Sequence, residues 1–311
     1  MININEVYNL LCFDGMKKLN NKSIDSIITS PPYWQLRDYG FSEQWGLEPT
    51  YKEYLEHLWQ FMDEAYRVLK DEGTCWINLG DTYGGSSGGY YPKDNEVGAR
   101  KHQLHNRDKV GIEKCLMLIP HRFAIGCIDR GWILRNDIIW AKRNGMPESV
   151  KDRFSKKHEF IFFFVKQKKY YFDLDSIREE YSQSTKQRVQ YNTGYSKKYQ
   201  NEDIGQSKGI KKHILEKGKN PGDISDFWDI TIKGSRDNHY AAYNKDLIMK
   251  PILAGCPENG IVLDPFAGTG QTLKVAYNMN RNFIGFDGNK KYCEIANKYI
   301  KDIKNNLFDN V

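Results

Sequence analysis

No two of the six cysteines form a C-x-x-C pair; Cys12, Cys75, Cys115, Cys127, Cys256 and Cys293 are spread along 311 residues. Zinc ribbons and disulfide frameworks need clustered thiols, so both are excluded. Reduced thiols in a cytoplasmic protein are the expectation. Apolar runs are also short: the densest, Phe160–Val165, has the length of a strand, far below the roughly 18 residues that suggest a membrane helix. Met1–Glu6 has neither a basic head nor an apolar core, so no secretory signal is expected. No unit of about 20–50 residues repeats. Aromatic residues make up 14% of the chain, more than a disordered chain carries.

Charge is present in modest excess, +6 overall, but unevenly placed. Between Arg178 and Asn220 there are ten Lys and Arg against five Asp and Glu, and Lys142–His158 adds six basic residues against two acidic ones. Local positive charge fits a polyanionic partner, although a solvated surface loop gives the same pattern.

The apolar spacing predicts strands at Tyr8–Phe13, Asp25–Thr29, Thr74–Leu79, Gly131–Trp140, Phe160–Val165, Gly260–Leu263 and Phe283–Phe286. Helices are expected at Tyr51–Leu69, Cys115–Asp129, Asp246–Ala254, from the Gly270 turn to about Asn280, and at Tyr292–Ile303. Strands alternating with helices give an α/β fold with a mostly parallel sheet, whose ligands bind at the carboxyl ends of the strands. From about Arg178 the texture turns polar and Tyr-rich, as in a functional insertion or linker.

Two short segments carry chemistry. Val262-Leu263 leads into Asp264-Pro265-Phe266-Ala267-Gly268-Thr269-Gly270, a strand-to-helix glycine turn that lets a ligand approach backbone N–H groups. The third glycine of a dinucleotide loop is missing. Asp264 would repel a pyrophosphate but attract the ammonium of a methionine moiety. Asp287 ends the next strand, where such folds place an acid on ribose hydroxyls. S-adenosylmethionine is therefore favoured over NAD. The second segment is Thr29-Ser30-Pro31-Pro32-Tyr33-Trp34. Its prolines donate no hydrogen bonds. Ser30 and the Pro31 carbonyl can accept from an exocyclic amine, and Tyr33 can stack on the ring that bears it. A stiff turn before a core aromatic is the plainer reading of this segment alone.

Together, and in this order, the segments resemble the permuted β group of the DNA amino-methyltransferases. Ser30-Pro31-Pro32-Tyr33 matches the catalytic tetrad and Asp264–Gly270 the cofactor motif. Ile77–Asp81, Ile138–Lys142, His158–Phe162 and His239–Leu247 resemble further family segments, though Tyr240 and Asn244 stand where many members have other residues. The resemblance implies a Rossmann-like S-adenosylmethionine-dependent methyltransferase fold with circularly permuted motif order. It implies a catalytic half at 1–175, an inserted target-recognition region at 176–236 and a cofactor-binding half at 237–311. The catalytic residues implied are Ser30, Pro31, Pro32 and Tyr33. Asp14, Asp264, Pro265, Phe266, Gly268, Thr269, Gly270 and Asp287 are implied for S-adenosylmethionine. Lys186, Arg188, Lys197, Lys198, Lys211 and Lys212 are expected on DNA. The expected partner is double-stranded DNA with its target base flipped out, with a companion restriction endonuclease and no membrane.

A Ser-led tetrad leans towards cytosine N4; the alternatives are adenine N6 methylation and a catalytically inactive DNA-binding module. Methylation at cytosine C5 needs a Cys after Pro, and no Pro-Cys occurs. His102 and His105 lack the acid or Cys cluster that a metal site needs, so no metal is expected. Gly84–Gly89 reads as a hinge, and Asp81 either touches the pocket or caps a strand end.

Overall fold

The computed structural model describes residues 2–39, 43–85, 112–145, 147–178, 181, 183–184, 226–231 and 244–308, with the side chains of 303–308 left aside. The chain divides into two compact units, 1–172 with 227–311, and 173–226. In the smaller unit the described residues include a 3-10 turn at Asp175–Ile177, held by an Arg178–Asp175 ion pair at 2.6 Å.

In the larger unit the elements are β1 (Glu6–Tyr8), α1 (Cys12–Met16), β2 (Ile24–Thr29), α2 (Tyr51–Val68), β3 (Leu69–Leu79), α3 (Ile119–Asp129), β4 (Ile133–Ala141), β5 (His158–Val165), β6 (Phe227–Asp229), α4 (Lys245–Gly255), β7 (Ile261–Asp264), α5 (Gln271–Asn278), β8 (Asn282–Phe286) and α6 (Lys290–Phe308). They build one eight-stranded sheet in the order β1-β8-β7-β2-β3-β5-β4-β6. Every pairing is parallel except the two that β5 makes with β3 and β4.

Alternation along the strands splits the core in two. Ile27, Cys75, Ile77, Phe160, Phe162 and Phe164 face the layer of α1–α3. Ile28, Trp76, Ile161, Phe163 and Val165 face the layer that includes α4 and α5. All six residues of β2 are buried. Asp25 is tolerated there because Lys70 and the Ile261 N–H satisfy its two oxygens at 2.7 and 2.9 Å. A complete capping box, Thr50 with Glu53, starts α2.

The structure corrects three expectations and adds one strand that the pattern did not show. The strand expected at Tyr8–Phe13 is β1 ending at Tyr8 followed by α1, because the Tyr8 carbonyl is taken by Leu10 and Asp287 and the chain turns there. Helix α3 begins at Ile119, not Cys115, with Pro120 in its first turn and Leu118 in the left-handed region at φ 54°. Strand β3 starts at Leu69, running on from α2. The three-residue β6, inside the 176–236 range, pairs with β4 in the main sheet and is too short to show a period. No helix among the described residues is long and apolar enough to cross a membrane.

Candidate active site

Strands β1, β8, β7 and β2 lie side by side and parallel, so their carboxyl ends form one edge. The segments singled out in the sequence follow these strands. Ser30–Tyr33 leaves β2, Asp264–Gly270 spans the end of β7 and its turn, Asp287 follows β8, and Asp14 sits exposed in the first turn of α1, after β1. The Asp287 N–H donates to the Tyr8 carbonyl, and Asn9 donates to the carbonyls of Asp287 and Gly288, joining two of these loops.

The tetrad is held from both sides. Tyr54, buried on α2, donates its hydroxyl to the Pro32 carbonyl at 2.8 Å. The Pro31 carbonyl accepts no hydrogen bond from any described residue. The Tyr33 ring lies across Gly80, where a Cβ would come within 2.6 Å of the ring. Its hydroxyl lies 2.7 Å from Glu159 Oε2 and 3.0 Å from Asn78 Oδ1, and the Ser30 hydroxyl is 3.5 Å away. Glu159 reaches this edge because β5 runs against the other strands, which brings its first residues beside the carboxyl end of β3.

Thr29 and Asp264 join the two motifs directly. The Thr29 hydroxyl donates to Asp264 Oδ1 at 2.6 Å, and the Phe266 N–H donates to the same oxygen at 3.1 Å. Asp264 is 3% exposed. Burial pushes its carboxyl up to about 6, against the lowering effect of these donors. Burial also raises Asp287, whose two oxygens accept from the Gly268 and Asn289 N–H groups at 2.8 and 2.7 Å. Phe266 packs on Trp45 and Phe61, and Phe13 of α1 packs on the same Trp45, so the turn rests on an aromatic bed.

The two loop glycines differ. Gly270, at φ +79°, would push a Cβ to 2.8 Å from the Ala296 methyl; it is required by packing. Gly268, at φ +52°, has no atom within 4 Å of the place a Cβ would occupy. The turn is therefore open above Gly268 and flanked by the carboxylates of buried Asp264 and half-buried Asp287, a cradle that fits a cationic ligand bearing hydroxyls. S-adenosylmethionine has both an ammonium and ribose hydroxyls.

Asp81 caps α3: its Oδ1 accepts from the Ile119 N–H at 3.0 Å. Lys186, Arg188, Lys197, Lys198, Lys211 and Lys212 lie outside the described residues, as do His102 and His105. Sequence reasoning assigned no role to Thr29, Tyr54, Gly80, Lys142 or Glu159. The only available signal was proximity to motif segments; their partners are distant in sequence.

Comparison with known proteins agrees with this geometry. The DNA methylase family of N6 and N4 methyltransferases matches residues 24–298. The type II methyltransferase M.Cfr9I of Citrobacter freundii is 36% identical over 282 residues, covering 90% of this chain and 82% of that protein. Among solved structures, the cytosine-N4-specific PvuII DNA methyltransferase shares the fold at a TM-score of 0.60 and 16% identity, over 99% of this chain and 97% of its own. The putative DNA modification methylase TTHA0409 of Thermus thermophilus, complexed with S-adenosyl-L-methionine, does so at 0.57 and 18%, over 95% and 92%. With nearly the whole larger unit matched and both motif segments meeting at one sheet edge, the chain belongs to the N6/N4 DNA methylase family.

Proposed function

We propose that this protein is the type II DNA methyltransferase of a restriction-modification system and methylates the N4 amine of a flipped cytosine in double-stranded DNA. The observation that carries the reading is the adjacency of β2 and β7. It brings Ser30–Tyr33 and Asp264–Gly270 to neighbouring strand ends, tied by Thr29 and Asp264, which supports reading the first as the amine acceptor and the second as the cofactor turn.

S-adenosylmethionine, the methyl donor, supplies an electrophilic methyl on a sulfonium. Asp264 and Asp287 offer carboxylate acceptors to its ammonium and ribose, and Gly268 keeps space above the turn. Asp14, Pro265, Phe266, Thr269 and Gly270 complete the proposed cofactor set.

The exocyclic amine of a base is a weak nucleophile because its lone pair is delocalised into the ring. Ser30 and the Pro31 carbonyl accept its two hydrogens, which favours pyramidal nitrogen and frees the lone pair. Pro32 stiffens the turn, and Tyr33 stacks on the base. Attack on the methyl is then direct, and positioning supplies most of the acceleration. The nitrogen–methyl bond would form as the sulfur–methyl bond breaks, S-adenosylhomocysteine would leave and the amine's spare proton would pass to solvent, so no covalent enzyme intermediate is needed.

A base inside a duplex cannot reach this edge, so the target must flip out. The region expected at 176–236 supplies recognition in this reading, with Lys186, Arg188, Lys197, Lys198, Lys211 and Lys212 on phosphates or base edges. Cytosine N4 is favoured by the Ser-led tetrad and by the stated specificity of the PvuII enzyme. The partners in this proposal are duplex DNA and a companion endonuclease.

The test is to incubate the protein with S-adenosylmethionine and unmethylated duplex DNA, digest to nucleosides and analyse by mass spectrometry. N4-methylcytosine is the expected product. N6-methyladenine would overturn the choice of base and keep the chemistry; no methylated nucleoside would overturn the function.

A further inference from the structure

Beyond the tetrad lies a run of polar groups whose hydrogen-bond directions are set by chemistry. Lys142 ends the run. Its ammonium can only donate, and it pairs with Glu159 Oε1. Both side chains are mostly buried, at 18% and 16% exposure, and Lys142 also lies over the Trp140 ring at 4.3 Å. Glu159, paired as a carboxylate, can only accept, so the Tyr33 hydroxyl 2.7 Å from Oε2 must donate to it. Asn78 does not reverse this order. Its amide donates to the Phe160 carbonyl at 3.0 Å, which turns Oδ1, another acceptor, towards Tyr33. With its one hydrogen committed to Glu159, the Tyr33 oxygen can accept from Ser30, 3.5 Å away. That distance is at the long end for O–H···O, so the contact is the weakest link of the run.

We propose that Glu159, acting through Tyr33, turns the Ser30 hydroxyl hydrogen away from the target amine and so leaves the Ser30 lone pairs facing it. This rests on the functional reading above. Serine is otherwise ambiguous in that role, because a free hydroxyl can rotate its hydrogen towards the amine. A Ser-led tetrad needs its hydroxyl polarised in one sense, and the acceptor-only carboxylate supplies that sense without touching the substrate. Glu159 is thus a positioning residue, and its ion pair with Lys142 holds it in place. Both arrive from the paired strands β4 and β5, where Glu159 is in register with Trp140.

The test uses the full-length protein in steady-state methylation of duplex DNA, with Glu159→Gln, Tyr33→Phe and the double variant. Glutamine keeps the shape but can donate as well as accept, so the direction is lost. The expected result is a kcat about tenfold lower in Glu159→Gln, the scale of one transition-state hydrogen bond. KM for DNA and the cofactor Kd should stay near wild type, while Glu159→Gln should lower the melting temperature because Lys142 loses its paired charge. The double variant should be no slower than the slower single variant, because both changes cut one path. A wild-type kcat in Glu159→Gln, or a double variant that multiplies the two losses, would overturn the proposal. So would equal losses in kcat and cofactor affinity, the pattern of a purely structural residue. If Glu159→Gln does not fold, Tyr33→Phe, which removes one hydroxyl, decides: a wild-type kcat overturns the path, and a selective fall in kcat sustains it. A wild-type protein that methylates no nucleoside defeats the functional reading itself; an active wild type indifferent to Glu159 defeats this proposal alone.

Discussion

Replacing Gly80 by alanine is a steric test of the tetrad that leaves every proposed ligand-binding group intact. The added Cβ would stand 2.6 Å from Tyr33 Cε2 and 2.8 Å from Cδ2, whereas ordinary contact begins near 3.4 Å. The ring must therefore retreat by roughly 0.8 Å. It has little room to do so. Its hydroxyl is engaged with Glu159 and Asn78, and the preceding carbonyl of Pro32 is held by Tyr54. Gly80 does not adopt a positive φ, so alanine adds no left-handed backbone strain and the effect isolates the contact. Overpacking of this kind costs about 1–3 kcal/mol, and displacement of a positioned group by nearly an ångström lowers rates by up to ~100-fold. Methyl transfer from labelled S-adenosylmethionine should show a roughly 10–100-fold fall in kcat. Calorimetric cofactor affinity should hold, since the turn after β7 is untouched. Wild-type turnover in Gly80→Ala would refute the placement of Tyr33 in the chemistry. Lost stability with unchanged kcat would reduce its role to packing.

Four further perturbations probe the turn proposed to hold the cofactor. Gly270→Ala should unfold the protein at clearly lower denaturant, because the methyl meets Ala296 at 2.8 Å. Gly268→Ala, with open space around it, should cost only about 1 kcal/mol of backbone strain yet weaken cofactor binding sharply; calorimetry on both variants separates the two cases. Thr29→Val removes a buried donor from Asp264 and should destabilise by about 1–3 kcal/mol in urea titrations; an unchanged midpoint counts against the tie. Asp264, raised by burial from 3.8 to about 6, stays protonated in the folded protein at pH values where the unfolded chain has ionised. Its contribution is thus fully present below about pH 4 and lost as pH rises to about 6. Relative to Asp264→Asn, the wild type should lose about 3 kcal/mol across that window, and parallel urea curves at about pH 4 and 7 would disprove it.

The residues of both motifs were legible because proline and glycine impose local geometry: Ser30-Pro31-Pro32 ends β2 and the glycines open the turn after β7. Long periodic segments such as α2 were equally readable. What tied the motifs together was not. Thr29 and Asp264 are 235 residues apart, and neither spacing nor propensity reports a contact across a sheet. Glu159 stood in a strand the pattern found, but its arrival at the site depends on β5 being antiparallel, and an apolar run carries no direction. The three residues of β6 are fewer than a period needs. Asp81 caps a helix that begins 38 residues later, a non-local capping bond that local sequence rules do not describe.

The place of β2 between β3 and β7 also has a consequence for biosynthesis. Its six residues are buried from both sides, yet its neighbour β7 begins only at Ile261. At ribosomal rates of about 5–20 residues per second, β2 waits roughly 10–50 s with one edge unpaired. Such an edge is a template for association with other chains, and pairing across so long a separation is slow. Until β7 emerges from Ile261 onward, that edge of the nascent chain stays open to capture by other chains. The Asp264–Gly270 turn also forms only then, so a chain ending before Asp264 lacks one of the two segments that meet at the sheet edge.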